Sequence, residues 1–167
     1  IRGSHTKKSF RLVGCESCGF IFLNPQPNWS ELSSFYNERY YAYGYLERLY
    51  LSITRFSQIR EFVNNTKRGR LLDIGCGNGE FLARVKKWEN EVWGIDVSKE
   101  ACILAKKREV GKIFNKELKN CQFPSNFFDT VTMWHVLEHL PNPFVELREI
   151  HRILKEDGVL VVEVPNI

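Results

Sequence analysis

Residues 71–79 read LLDIGCGNG, an apolar run carrying one carboxylate and then glycine at every second position. The run reads as a parallel strand buried on both faces. Gly75, Gly77 and Gly79 read as a tight turn that brings ligand atoms against the backbone before a helix starts near Glu80. Asp73 selects the ligand. In a dinucleotide site this turn cradles a pyrophosphate with backbone N–H groups and a helix N-terminus, and a carboxylate aimed into it repels that anion. An ammonium group, as on an amino acid, suits it. The spacing G-x-G-x-G also departs from the G-x-G-x-x-G of nicotinamide sites.

Outward from this turn the chain alternates strand and helix. Residues 91–95 and 112–115 read as further strands, and residues 80–87 and 99–108 as the helices between them. A fourth strand is expected over 130–134. Asn142 and Pro143 then supply an N-cap and a first helical position for a helix with the apolar stripe Phe144, Leu147, Ile150 and Ile153 or Leu154. Asp157 and Gly158 are expected to turn the chain into a fifth strand. On the N-terminal side, residues 10–24 alternate apolar and polar around a C-x-x-C-G turn at Cys15 to Gly19, which predicts a β-hairpin closed by Pro25 and Pro27. A helix is expected from near Ser30. A longer amphipathic one is expected over 45–65, with Leu46, Leu49, Ile53, Phe56, Ile59, Phe62 and Val63 at helical spacing.

A chain of 167 residues is one domain with a small accessory region. The net charge of +4 lies in the N-terminal part: residues 1–70 carry 11 basic and 5 acidic side chains, and residues 71–167 carry 13 and 15. The basic residues are scattered along helical segments and form no patch, so nucleic acid is not the expected partner. No apolar run approaches a membrane span. Five cysteines without a signal peptide suggest free thiols and a cytoplasmic location. The opening IRGSH resembles a cleaved affinity-tag scar, so residues 1–8 and His5 are set aside.

LLDIGCGNG, the GID at Gly94 to Asp96, the stretch CQFPSNFFD ending at Asp129, HVLEHLPNP over 135–143 and VLVVEVPN over 159–166 together resemble the class I S-adenosylmethionine-dependent methyltransferases. Within that family the closest resemblance is to small-molecule enzymes with an N-terminal C-x-x-C hairpin. The resemblance implies a Rossmann-like α/β fold: an open parallel sheet of order 3-2-1-4-5 with helices on both faces. Family members continue with strands 6 and 7, which this chain is expected to lack. The implied division is a hairpin and helical lid over 9–66 and a truncated S-adenosylmethionine-binding core over 67–167.

The resemblance implies that Asp73, Gly75, Cys76, Gly77 and Gly79 surround the amino-acid end of S-adenosylmethionine. Asp96, 23 residues beyond Asp73, would take both ribose hydroxyls. Its plain alternative is an exposed acid near a helix N-terminus. Val97 and Ser98 would flank the adenine, with Ser98 equally an N-cap. Glu117 and Leu118 occupy the adenine-contacting loop, where an Asp is more usual. A solvated Glu117 between Lys116 and Lys119 is the alternative.

His135 follows the fourth strand and should line the pocket, with Glu138 and His139 one turn on. Either histidine is a candidate general base, and either equally could serve only to pack or cap. The run Tyr36, Tyr40, Tyr41, Tyr43 and Tyr45 resembles the lid over the cofactor. Tyr40 and Tyr41 are the expected contacts, since an aromatic face can hold a sulfonium. Ordinary packing is their alternative. Cys15 and Cys18 have the spacing of half a zinc site, with no second pair to complete it, so no metal is expected. Cys76 reads as a small residue in a tight turn.

Two functions fit. The leading one is methyl transfer from S-adenosylmethionine to an O, N or C nucleophile of a small molecule, leaving S-adenosylhomocysteine. The other is a methyltransferase-like interaction module without turnover, docking a partner through its cysteine hairpin. A fifth strand left as an open edge is expected to promote homodimerisation.

Overall fold

The computed structural model describes residues 9, 11–27, 31, 50, 53–57, 60, 69–88 and 91–165. The N-terminal part is the antiparallel hairpin of β1 (Arg11–Gly14) and β2 (Ile21–Asn24), pairing Gly14 with Ile21 next to the turn. Gly19 closes that turn with φ +73° and donates its N–H to the Cys15 carbonyl at 2.8 Å. Residues 53–57 are helical, as expected for the amphipathic helix. The rest of that helix's span, apart from Tyr50 and Arg60, and the tyrosines at 36, 40, 41, 43 and 45 lie outside the described residues.

From Arg70 onward the elements are β3 (Arg70–Ile74), α1 (Glu80–Val85), β4 (Glu91–Ile95), α2 (Lys99–Lys107), β5 (Lys112–Phe114), β6 (Phe128–Trp134), α3 (Pro143–Ile153) and β7 (Leu154–Glu163). The five strands from β3 to β7 form a parallel sheet in the order β5-β4-β3-β6-β7, which is the expected 3-2-1-4-5. The order reverses at β3, which pairs with β4 on one side and β6 on the other, and ligand crevices form at such reversals.

Both faces of the sheet are covered, as a parallel sheet requires. Leu71 packs with Phe81, Leu82 and Val85 of α1 and with Cys102 and Ala105 of α2. Its neighbour Leu72 points the other way, into a cluster with Phe128, Val131 and Ile150 and Ile153 of α3. Trp93 crowns that second face, with Phe114, Phe123, Phe127 and Phe128 all within 6.0 Å between ring centres. Each fully buried side chain of this size contributes about 2 kcal/mol.

Local signals set the helix starts. Ser98 caps α2 by accepting the Ala101 N–H at 3.2 Å, and Asn142 caps α3 by accepting the Val145 N–H at 3.3 Å. Several boundaries differ from expectation. The first helix of the core ends at Val85 and tightens into a 3₁₀ turn over Lys86–Trp88. The fourth strand begins two residues early, at Phe128, because Phe128 pairs with Leu154 before the register shifts to Thr130 with Val159.

That irregularity also corrects the fifth strand. It starts at Leu154, directly after α3, and the bend at Gly158 lies inside it. There a Cβ would sit 2.9 Å from the Lys155 carbonyl oxygen, so only glycine fits the bulge. The expected lack of two C-terminal strands is not borne out as a defect of the sheet: all five strands pair continuously from β5 to β7.

Candidate functional site

The carboxyl ends of β3, β4 and β6 converge on the glycine turn. Asp73 lies on the central strand, in register with Gly94 on β4 and Thr132 on β6. It is 1% exposed, and its Oδ1 accepts the Thr132 hydroxyl at 2.7 Å. Burial pushes its pKa up to about 7, against the Thr132 hydrogen bond and the charge of Arg55, while the Asp96 charge adds to the rise. A carboxyl so placed becomes a strong binding group once a cation arrives.

The turn above it is held from β4. The N–H groups of Gly75 and Cys76 both donate to the Ile95 carbonyl, at 2.8 and 3.0 Å. Gly75 has φ +73°, and a Cβ there would overlap Val136 Cγ2, so the loop after β6 packs directly on the turn. Gly79 has φ +77° and would press a Cβ to 3.1 Å from Ala105 of α2. The Cys76 thiol is buried and pushed well above its ordinary pKa by desolvation, which fits the expected small filler. It fills the space that lacks a Cβ at Gly94, where one would come within 2.8 Å of its sulfur.

Asp96 ends β4, buried, with both oxygens engaged: Oδ2 accepts the Gly77 N–H at 2.9 Å and Oδ1 the Ser98 N–H at 2.8 Å. Burial raises its pKa, opposed by these backbone donors. Each oxygen keeps a further lone pair, the capacity that two ribose hydroxyls need. Asn115 braces this corner, donating its side-chain N–H groups to the carbonyls of Asp96 and Val97 at 2.9 and 3.0 Å. Glu117 Oε2 pairs with Lys119 Nζ at 2.7 Å, and the Leu118 side chain is buried in the core, so its backbone is the part left for a ligand.

His135 follows β6 with φ +55°, an unusual conformation for a residue with a side chain. Its N–H donates to the Glu163 carbonyl at 2.8 Å, its Nε2 lies 2.9 Å from Glu163 Oε1, and its Nδ1 lies 3.5 Å from Glu138 Oε1. Arg55 completes the group, its Nη2 2.9 Å and Nε 3.2 Å from the same Glu163 oxygen and its guanidinium 5.2 Å from the Trp134 ring. His139 Nε2 stands 3.9 Å from Glu138. Thr132, Val136, Arg55 and Glu163 are the neighbours of these candidate residues that the sequence does not announce. HVLEH offers His135, Glu138 and His139 as pocket candidates and VVEVPN only a strand, and nothing in either pairs His135 with Glu163.

Cys15 and Cys18 flank the hairpin turn, away from these residues in sequence and in sheet. Cys15 is half-buried, and its thiol pKa is lowered to about 7 by the Ser17 hydroxyl and nearby backbone N–H groups. Among the described residues no group of three or more side chains is placed to hold a metal ion. No helix among them is long and apolar enough to cross a membrane. The expected cofactor contacts of Tyr40 and Tyr41 lie outside the described residues.

Comparison with known proteins agrees with this arrangement. Residues 41–167 match the family described as Methyltransferase domain. The match begins beyond the Cys15–Cys18 hairpin, so the hairpin-bearing subtype is not confirmed. The chain is 29% identical over 126 residues to the ubiquinone biosynthesis O-methyltransferase of Glaesserella parasuis, covering 70% of this chain and 53% of that protein. It is 32% identical over 124 residues to the demethylmenaquinone methyltransferase of Geobacillus kaustophilus, covering 66% and 53%. A SAM dependent methyltransferase from Archaeoglobus fulgidus superposes with a TM-score of 0.59 at 27% identity, covering 69% of this chain and 53% of that one. The chain thus spans about half the length of these curated relatives. With a family match over residues 41–167 and the parallel sheet in the expected order, the chain belongs to the methyltransferase domain family.

Proposed function

We propose that the protein binds S-adenosylmethionine and transfers its methyl group to a small-molecule acceptor through an O, N or C nucleophile. The observation that carries this is Asp73, a carboxyl buried under the glycine turn and one strand away from Asp96, whose oxygens retain hydrogen-bonding capacity. An ammonium group over Asp73 and a ribose on Asp96 match these two positions in charge and in hydrogen bonding. Gly75 to Gly79 supply the close backbone approach, Val97, Glu117 and Leu118 the adenine side, and Tyr40 and Tyr41 the aromatic contacts to the sulfonium.

S-adenosylmethionine supplies an activated methyl whose leaving group departs neutral. The protein's task is therefore to position the acceptor and exclude water. His135 and His139 are the side chains placed to receive a proton. The relatives named ubiquinone biosynthesis O-methyltransferase and demethylmenaquinone methyltransferase support a small molecule of the quinone type as the acceptor class.

The proposed layout is a lid over 9–66 and a binding core over 67–167, acting in the cytoplasm. β7 forms one edge of the sheet, and self-association through it is tested by sedimentation at rising concentration. Calorimetry with S-adenosylmethionine and S-adenosylhomocysteine tests the central claim: binding of both is expected, and no heat at millimolar ligand would sink it.

A further inference from the structure

The C-x-x-C-G tip of the β1–β2 hairpin takes no part in the proposed methyl transfer, and its backbone is closely held. One step beyond the Gly14–Ile21 pair, Cys15 donates its N–H to the Phe20 carbonyl at 2.8 Å. Gly19 returns its own N–H to the Cys15 carbonyl at 2.8 Å, turning in the left-handed region at φ +73°. Residues 16–18 between them are all turn. Residues three apart across a reverse turn have Cα atoms within about 7 Å, and a disulfide spans Cα separations of about 4.4–6.8 Å. Cys15 and Cys18 stand in that relation.

Polar groups gather on one of the two sulfurs. Cys15 Sγ lies 3.1 Å from the Ser17 hydroxyl, which is the main influence lowering its pKa to about 7. The N–H groups of Cys18 and Ser17 and the Cys18 thiol act in the same direction. A thiol that ionises near the ambient pH combines a large thiolate fraction with good nucleophilicity. Cys18 is exposed, and so are Leu12, Phe20 and Ile21 of the same hairpin, so a small molecule can approach the tip. The other cysteines are placed differently. Cys76 and Cys102 are buried, and burial raises the pKa of both, while Cys121 Sγ donates to the Glu117 carbonyl at 3.4 Å. Among the described residues no third His, Cys, Asp or Glu joins Cys15 and Cys18, and a thiolate metal centre needs more donors than two.

We propose that Cys15 and Cys18 form a thiol–disulfide exchange site that takes a small-molecule disulfide of the glutathione type, with Cys15 as the attacking sulfur and Cys18 as the resolving one. The Cys15 thiolate bonds one sulfur of the small disulfide, whose S–S bond breaks and whose other half leaves as a thiolate. Cys18 then loses its proton to solvent and attacks Cys15 Sγ, and the second half leaves. Two cysteine thiols give up two electrons and two protons, and the small disulfide takes them up as two thiols. The site stands whether or not the core transfers methyl groups.

Non-reducing peptide mass spectrometry of the reduced chain, incubated at pH 7 with oxidised glutathione, tests this. The unaltered protein is expected to lose two hydrogens, retain no glutathione and carry Cys15 and Cys18 in one internally bridged peptide. Cys18→Ser should stop at the mixed disulfide, with one glutathionyl group on Cys15. Cys15→Ser should take up glutathione about threefold more slowly than Cys18→Ser. Cys76 and Cys102 should stay reduced throughout. Glutathione retained on the unaltered protein, uptake by Cys15→Ser as fast as by Cys18→Ser, or bridges between copies would each overturn the proposal. Protection of both thiols that a chelator lifts would overturn it as well, by placing a metal ion on the pair.

Discussion

The Asp96 carboxylate takes the Gly77 N–H at 2.9 Å, joining the end of one strand to the middle of the glycine turn that follows another. Its second oxygen holds the Ser98 N–H at 2.8 Å, at the cap of α2. The residue proposed to bind the ribose is thus also the brace of the loop that would meet the amino acid. Asp96→Ala should lose S-adenosylhomocysteine binding and also destabilise the fold by about 2 kcal/mol, since the buried Ser98 N–H and the half-buried Gly77 N–H lose their acceptor. Asp96→Asn should be nearly as damaging, because its NH₂ group would face one of those donors. Thermal melting alongside calorimetry checks both effects, and an unchanged melting temperature in Asp96→Ala would refute the bracing role.

Asp73 makes a prediction about pH. Its pKa rises from 3.8 to about 7 in the folded protein. Between those values the folded state binds more protons than the unfolded state, so stability falls as pH rises through that window. The full cost above pH 7 is at most on the order of 4 kcal/mol, from about 1.4 kcal/mol per unit. Asp73→Asn should flatten this dependence. An ammonium ligand acts in the opposite sense by favouring the carboxylate, so affinity for S-adenosylhomocysteine should strengthen from pH 5.5 to 8, with proton release on binding at the acid end. Calorimetry in buffers of different ionisation enthalpy reads that proton, and an affinity flat across the range would count against Asp73 as the ammonium partner.

Gly75 is the point where steric and conformational demands meet. Alanine there would place a Cβ onto Val136 and hold a non-glycine residue at φ +73°. Gly75→Ala should cost about 3 kcal/mol, partly as overlap and partly as backbone strain. Adding Val136→Ala removes the overlap but leaves the strain, so the pair should recover about half of the loss. Denaturant unfolding of the three variants decides it, and full recovery in the pair would mean that the backbone angle costs nothing.

The parts of the site legible in the sequence are those whose signal is local. LLDIGCGNG carries its strand, carboxylate and turn in nine residues, and Ser98 and Asn142 announce their helices within three positions. The parallel sheet follows from alternation of β and α, while its strand order is what the family resemblance implies. What was missed depends on contacts far apart in the chain. Arg55 and Glu163 are separated by 108 residues, and Thr132 lies 59 residues from Asp73. No periodicity or spacing links such pairs: the register of β3 and β6 brings Thr132 to Asp73, and Arg55 reaches Glu163 from a helical segment outside the sheet. The misplaced start of the fifth strand has the same origin, because Asp157 and Gly158 carry the composition of a turn while pairing with β6 turns that segment into a bulge.

The cysteines give a prediction independent of any ligand. Cys15 is half-buried at the hairpin turn, its Sγ 3.1 Å from the Ser17 hydroxyl, and hydrogen bonding lowers its pKa to about 7. Cys76 and Cys102 are buried, and desolvation raises both, Cys102 to about 11. The thiolate is the reactive form, so iodoacetamide at pH 7 should label Cys15 well ahead of Cys76 and Cys102, which should react only on unfolding. Ser17→Ala removes the first-ranking stabilisation of the Cys15 thiolate and should slow its labelling several-fold at pH 7, with less effect at pH 9, where the thiol is ionised without help. Peptide mass spectrometry over a time course reads all three sites. Labelling of Cys76 as fast as Cys15 would mean that the glycine turn opens to solvent far more readily than its hydrogen bonds to Ile95 allow.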